Sequence, residues 1–461
     1  VAKIVILGAG LTGLSTAYHL EKNNFFDFTI FERESTHGGL CRSVKHDGFT
    51  FDYTGHLLHC NNTYFQTVLN EILPPTTRNT LARKSYIHSH NHFVPYPFQM
   101  NLHGLPTEVI AECICSFAKR NHQHNNPQSF HEWVLKYFGT GIAKHFFFPY
   151  NQKLLQYNLK KIHPSWTGRF VPKTTIKNLF TGLANQENNS VGYNHTFLYP
   201  KQGGIQTFTD NLRKKITCSI KTNYNATNID LKKKIVSFDN GHTEKFDTLI
   251  TTIPLKNLLQ NSTQPSSCNI KKNHRYLRCN AVVNFNVGFK GTSIDKHWIY
   301  FPEKKYPFYR VGFWHNFSKS LVRPEHGALY GELAYLPGQL REKELNQRVE
   351  KSIEQSCQIF GLSKNKNIVS QKILHLPNAY VIYDHWREKN LPALHKALRD
   401  HSVYSIGRYG AWNYSSMQDA ILDGQKIATK LLHQFIPAQI YKKKREKKKK
   451  ERSSEAHAIV L

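Results

Sequence analysis

Acidic residues are scarce in this chain of 461 residues: 32 Asp and Glu stand against 62 Lys and Arg, giving a formal net charge of +30. Long apolar runs are missing too. Mean hydropathy is −0.52, and no stretch approaches the ~20 apolar residues that a bilayer-spanning helix requires, so no integral membrane segment is expected. None of the eight cysteines forms a Cys-x-x-Cys pair, which argues against a structural zinc site. Nothing resembles a helix–turn–helix or an RNA-recognition signature, so no specific nucleic-acid partner is expected. The first residues, Val1-Ala2-Lys3-Ile4-Val5, read as a strand and not as a signal peptide. The expectation is therefore a cytoplasmic protein with free thiols, in which the Asn-x-Ser/Thr triplets at Asn188 and Asn225 are chance.

What is present is enough for a large core. Hydrophobic residues make up 39% and aromatics 13%, so the chain is not disordered by composition, and its length suits two or three structural units. Part of the positive charge is local. Nine basic and two acidic residues between Lys442 and Arg452 supply +7 of it. Residues 436–461 read as a basic, disordered, solvated tail. The remaining +23 is spread among Asn and His, and it is compatible with a polyanionic substrate.

The front end carries the most specific motif. Residues 2–7 are a short continuous apolar run, as expected of a strand buried on both faces. Gly8-Ala9-Gly10-Leu11-Thr12-Gly13 follows at once, and Leu14 to Leu20 reads as a helix. In this setting Gly8 permits a tight turn, Gly10 lets backbone approach a pyrophosphate, and Gly13 lets the helix pack close to the strand. Thr12 and Leu14 begin the helix whose N-terminal N–H groups would face the phosphates. A second strand ends at Glu32, 19 residues after Gly13. A carboxylate there accepts hydrogen bonds from a ribose 2′-hydroxyl and repels a 2′-phosphate, which argues against NADP in this site. Arg33 lies beside it. Gly38-Gly39-Leu40 can bring further backbone N–H groups to the same pyrophosphate.

With this Gly-Gly segment the sequence resembles FAD-containing proteins of the amine oxidase and protoporphyrinogen oxidase superfamily, and within it the UDP-galactopyranose mutases. The resemblance extends over roughly residues 2–435. Gly48 to His56 is similar to the family's loop on the flavin ring, which assigns Gly55 and His56 to the neighbourhood of flavin N5; the usual glycine pair is here Thr54-Gly55. Val94 to Gln99 resembles the segment lining the nucleotide end of the cleft, which implies Tyr96 and Gln99 as base contacts. Residues 131–153 are similar to the helical domain and imply substrate contacts from Phe146 and Asn151. Trp166 to Pro172 and Tyr306 to Arg310 resemble the two segments whose arginines, here Arg169 and Arg310, clamp a diphosphate. Asn225 to Ile229 resembles the strand whose backbone meets the adenine, at Ala226. Ser405 to Ala420 is similar to the final flavin segment, implying Gly407, Arg408, Met417 and Gln418 at the cofactor and Tyr414 at the substrate, with Tyr380 as a further diphosphate contact. Three family positions differ: Leu155 replaces a Trp, Phe317 a Tyr, and Met417 stands near an expected Asn.

The resemblance implies an α/β fold. A doubly wound Rossmann-type FAD-binding domain would come from residues 1–60, 191–270 and 395–435. A helical insertion would occupy 61–190, and an antiparallel-sheet substrate domain 271–394. The implied function is that of a flavin-dependent mutase, in which reduced flavin acts on the anomeric carbon of a nucleotide sugar while its diphosphate leaves and returns. That chemistry calls for an external reductant such as NAD(P)H and no metal. The three substitutions favour an alternative, an FAD-dependent oxidoreductase of the amine oxidase or protoporphyrinogen oxidase type. A third reading is a basic binder of nucleic acid or membrane surfaces.

Overall fold

Strand Ile4–Leu7 is buried along its whole length and lies in the middle of a five-stranded sheet. Its neighbours are Phe28–Phe31 on one side and Thr248–Thr251 on the other, with Ile220–Lys221 and Val403–Ser405 at the edges; every pairing is parallel. The computed structural model describes residues 3–120, 126–168, 171–184, 195–263, 270–291, 293–363 and 366–435. The Lys-rich tail lies outside the described residues.

Helices cover both faces of the parallel sheet, which is why its central strand Ile4–Leu7 is apolar along its whole length. On one face, helix Leu11–Glu21 packs against Met417–Phe435. The contact is close because Gly424 leaves room for Ser15, whose hydroxyl donates to the carbonyl of Ile421 at 2.7 Å. On the other face, Leu255–Gln260 and His385–Asp400 contribute Leu255, Leu258, Leu259, Leu391, Leu394 and Leu398 to a second core. The Asp384 carboxylate caps the longer helix by accepting from the Arg387 N–H at 2.8 Å.

The second large sheet has seven strands, in the order Ile368–Leu376, Ala281–Lys290, His326–Tyr335, Arg310–Phe313, Trp298–Tyr300, Ser85–Ser89 and His92–Pro95. All neighbours are antiparallel except Trp298–Tyr300 with Ser85–Ser89. Side chains alternate across it. Val283, Phe285, Leu329, Leu333, Val311 and Ile299 face helix Glu342–Ile359 and form one core with Leu345, Val349 and Ile353. The opposite face carries Asn284, Glu332, Arg310 and Tyr300 in register across four adjacent strands.

Helices Thr107–Ala118, Phe130–Ile142, Phe148–Leu155 and Ile176–Ala184 form a third block around Phe117, Phe130, Phe138 and Leu155. The stretch 61–190, expected from sequence to be a helical insertion, also contains strands. Arg78–Ala82, Ser85–Ser89 and His92–Pro95 are strands, and the last two extend the seven-stranded sheet.

Candidate active site

The glycine turn and the Gly38-Gly39 pair lie against each other. The N–H of Gly38 donates to the carbonyl of Ala9 at 2.9 Å, and a Cβ on Gly39 would approach Gly10 Cα to 3.1 Å. Gly8 has φ +98°, and a Cβ on Gly13 would collide with the Gly8 carbonyl oxygen. Gly10 caps helix Leu11–Glu21 without a side-chain acceptor, so the first-turn N–H groups, those of Thr12 and Gly13 among them, point into the cradle with no cap; Leu14 N–H closes the first turn on Gly10. Glu32 is buried at the end of its strand. Its carboxylate accepts from the N–H groups of Ala9 at 2.7 Å and Glu34 at 3.0 Å, which ties the glycine turn to the second strand. Arg33 is exposed and pairs with Glu34. Leu40 is partly buried and packs on the helical block. Gly407 has φ +75° and abuts Thr12, which brings the final segment to the same cradle. Gln418 exchanges hydrogen bonds with Asn61, next to Met417 at the start of the last helix. Ala226 begins strand Ala226–Asp230, its carbonyl accepting from Asn261.

From this cradle strand Phe49–Asp52 leads to Thr54-Gly55-His56. Asp52 anchors the loop from below: Ser43 and Tyr199 donate to its carboxylate, each at 2.5 Å, and Ile205 N–H adds a third bond at 3.2 Å. Burial pushes the Asp52 carboxyl up to about 6. The His56 Nδ1 faces Thr54 Oγ1 at 3.1 Å and the Thr54 carbonyl at 3.2 Å. Burial, followed by the positive charges of Arg408 and Arg310, pushes His56 down to about 4, so the imidazole is neutral at ordinary pH.

Rings and guanidiniums line the space between this loop and the helical block. Phe146 stacks on Phe98 and on Tyr150, both at 5.3 Å between centroids. Tyr150 meets Tyr300 at 5.4 Å and Tyr309 at 6.3 Å; Tyr300 continues to Tyr96, and Tyr309 to Tyr380. Tyr380 stacks on Tyr414 at 5.8 Å, and Arg408 lies over Tyr414 at 4.6 Å. Arg310 pairs with Glu332, Nη2 to Oε1, at 2.6 Å. Arg408 donates to the carbonyls of Ser415 and Ala379. Tyr96, Phe146, Tyr380, Tyr414, Arg310 and Arg408 thus come together. Gln99 is buried and bonds the Pro172 carbonyl, with Oε1 unpartnered. Asn151 accepts from the Trp166 indole at 3.3 Å. Arg169 lies outside the described residues.

The profile of the flavin-containing amine oxidoreductases matches residues 11–432. The chain belongs to that family. FAD is the cofactor that membership carries, and the site fits it: an uncapped helix start, a second glycine segment in which a Cβ on Gly39 would press on Gly10, and a buried carboxylate at the end of the second strand. Among solved structures, this flavoenzyme is similar to reduced UDP-galactopyranose mutase at 27% identity and TM-score 0.86, covering 94% of both chains. Wild-type putrescine oxidase bound to putrescine, at 13% identity, TM-score 0.63 and coverage of 94% and 99%, shares the fold. The dTDP-fucopyranose mutase of Escherichia coli is 29% identical over 166 residues, 33% of this chain and 41% of that protein. Coproporphyrinogen III oxidase of Staphylococcus aureus (strain NCTC 8325 / PS 47) is 31% identical over 108 residues, 23% of each chain. That of Bacillus subtilis (strain 168) is 22% identical over 323 residues, 63% of this chain and 67% of that one. The chain therefore spans less than half the length of the first two of these curated relatives. No helix among the described residues is long and apolar enough to cross a membrane.

Two features of this flavoenzyme's cleft escaped the sequence reading. Glu332 was missed, although a lone carboxylate in the apolar run Ala328-Leu329-Tyr330-Gly331-Glu332-Leu333-Ala334 was a usable signal. Tyr150, Tyr300 and Tyr309, which link the expected substrate residues, were also missed. Phe317 is fully buried among Phe197, Tyr199, Trp314 and Tyr330. A hydroxyl absent there is absent from a packed core, so this substitution does not argue for altered substrate chemistry. Leu155 is likewise fully buried in the helical core.

Proposed function

We propose that this flavoenzyme rearranges a nucleotide sugar, with reduced FAD seated in the glycine cradle and the sugar nucleotide in the aromatic cleft. The observation that carries the reading is that Arg408, over the rings of Tyr380 and Tyr414, and Arg310, next to Tyr309, whose ring meets Tyr380, come to one end of a continuous line of rings, with both charges acting on His56. Two guanidiniums there suit a diphosphate, and stacked rings suit a base. The parallel sheet and its helices would form the FAD-binding domain, drawn mainly from residues 1–60, 191–270 and 385–435, ten residues more than expected because helix His385–Asp400 packs on that sheet. The seven-stranded sheet and the helical block supply the two walls of the substrate cleft.

In this reading the first-turn N–H groups of Thr12 and Gly13 meet the FAD diphosphate, Gly8, Gly10, Gly38 and Gly39 give it room to approach the backbone, and Leu14 and Leu40 flank it. Glu32 binds its ribose, and Ala226 meets the adenine. Bound, reduced FAD supplies a nucleophile to the sugar's anomeric carbon. The protein's part is orientation and charge. Arg310, with Arg169, holds the diphosphate as it leaves and keeps it in place for return. Arg408 faces the negative charge of a reduced cofactor. Neutral His56, its Nδ1 turned toward Thr54, leaves Nε2 for the cofactor edge without adding a third positive charge. Tyr380 and Tyr414 flank the diphosphate. Tyr96, Gln99, Phe146 and Asn151 receive the base. An external reductant such as NAD(P)H prepares the cofactor.

Titration of the purified flavoprotein with UDP, followed by flavin absorbance, tests this reading. A saturable perturbation that Arg310→Ala weakens supports it. A spectrum indifferent to UDP, together with hydrogen peroxide formed from a porphyrinogen or an amine, would instead establish the oxidoreductase reading, which the match to coproporphyrinogen III oxidases favours.

A further inference from the structure

Glu332 is the one carboxylate in the register row that faces the cleft. Arg310 lies opposite it on one neighbouring strand and Asn284 opposite it on the other. The Glu332 side chain is 0% exposed, whereas that of Arg310 is 19% exposed, so the carboxylate sits behind the guanidinium as seen from the cleft. Oε1 is bonded to Arg310 Nη2 at 2.6 Å. Oε2 is buried without a partner, and so is the amide Nδ2 of Asn284. The neighbouring Tyr309 hydroxyl is neutral, and Arg310 is the one cation that pairs with Glu332 among the described residues, so the carboxylate charge acts mainly on Arg310. Nε of Arg310 is also buried and unpartnered, a donor left over after the ion pair is made. Arg408 is arranged differently. It bonds two backbone carbonyls and, among the described residues, pairs with no carboxylate.

We infer that Glu332 is a positioning and charge-tuning residue that moderates the grip of Arg310 on the substrate's diphosphate. The inference rests on the proposed role of Arg310 as a diphosphate clamp. A buried guanidinium is costly without a counter-charge, and Glu332 keeps Arg310 in place when the cleft holds no anion. The same carboxylate opposes an incoming diphosphate through the guanidinium, at short range and in a poorly screened setting. A clamp that must let the diphosphate leave the sugar, return to it and finally depart gains from such a brake. An unopposed arginine would hold the nucleotide too long.

The test is UDP affinity and steady-state turnover of the FAD-loaded full chain. Glu332→Gln retains an oxygen for Arg310 Nη2 and removes only the charge. The expected result is UDP binding about tenfold tighter, with kcat lowered and KM lowered in parallel. A purely structural anchor gives the opposite sign, so a Glu332→Gln protein with normal flavin content that binds UDP as weakly as the parent, or more weakly, overturns the inference. If Glu332→Gln does not load FAD, Glu332→Asp is read instead. Drawing the carboxylate back by one methylene should tighten UDP about threefold, and weakening would refute the inference. Arg310→Lys separates the two layers. Weakened UDP binding in Arg310→Lys with no tightening in Glu332→Gln sinks the tuning role alone. Unchanged binding in Arg310→Lys removes the clamp and the tuning role with it.

Discussion

The hydroxyl of Tyr330 occupies the space in which a side chain on Gly55 would begin. Tyr330 is 1% exposed, wedged under the loop that carries His56, with its ring also closing on Gly312 and 4.4 Å from that of Trp314. Gly55 is thus required for space, since its φ is not positive. Gly55→Ala is expected to cost about 1–3 kcal/mol through overpacking and to impair flavin loading. Because the nearest atom is the hydroxyl, Gly55→Ala combined with Tyr330→Phe should recover much of the loss. Thermal unfolding of both single variants and the double variant measures that coupling, and strict additivity would refute it.

Gly13 faces a harder limit. Its Cβ would fall on the Gly8 carbonyl, which is backbone and cannot rotate away. Gly13→Ala should yield protein that folds less stably and purifies without flavin. The ratio of flavin to protein absorbance decides this, and a fully yellow Gly13→Ala preparation would show that the cradle lies elsewhere.

Lys153 joins the helical block to the seven-stranded sheet. From helix Phe148–Leu155, which also bears Tyr150 and Asn151, its Nζ donates to the carbonyls of Phe301, Glu303 and Phe308 at 2.7, 2.6 and 3.2 Å. Those carbonyls belong to the turn between the strands that carry Tyr300 and Arg310. Lys153→Met leaves three acceptors without a donor, a loss on the order of 2 kcal/mol, and should weaken UDP binding by loosening helix Phe148–Leu155 from the sheet. Burial also lowers the amine to about 7. The unfolded chain then holds this proton up to its ordinary value near 10.5 while the folded chain does not, so the Lys153 contribution to stability rises with pH across that window. Lys153→Met should flatten the pH dependence of unfolding above 7.

Acid should destabilise the fold. Burial pushes His19, His56, His59, His88 and His297 each down to about 4. In the unfolded chain they take up protons near 6.5, so the stability due to their neutral forms is lost as pH falls from about 6.5 toward 4. Asp52 and Asp423, raised to about 6 by burial, act in the opposite direction as pH falls from about 6. Five groups outweigh two, and the midpoint of thermal unfolding should fall between pH 7 and 5. A midpoint that rises over that range would contradict the burial of these histidines.

Local demands made part of this legible in the sequence. A strand, a tight glycine turn and a helix start are set by residues within ten positions of one another, and Gly8, Gly10 and Gly13 stand where steric limits place them. The contacts among Tyr96, Phe146, Tyr380 and Tyr414 were reachable only through the family resemblance, since nothing local links residues so far apart. Glu332 was hidden for a different reason. Which strand lies opposite it, and so whether its charge meets Arg310 or solvent, depends on long-range register that a single chain does not display. Ser85–Ser89 and His92–Pro95 form a local hairpin, but the strand that joins it to the sheet, Trp298–Tyr300, pairs with Ser85–Ser89 from about two hundred residues onward, which the sequence does not display. Arg33 shows the limit of adjacency: next to Glu32 in sequence, it faces solvent and pairs with Glu34.

The most direct measurement is turnover by the protein under anaerobic conditions, before and after reduction with dithionite, offered the pyranose and furanose forms of UDP-galactose and of dTDP-fucose, with products separated by chromatography. The account predicts interconversion of one such pair by the reduced protein, none by the oxidised protein, and no net consumption of reductant. Reduced protein that interconverts neither pair, while the oxidised protein releases hydrogen peroxide with a porphyrinogen or an amine, would contradict it.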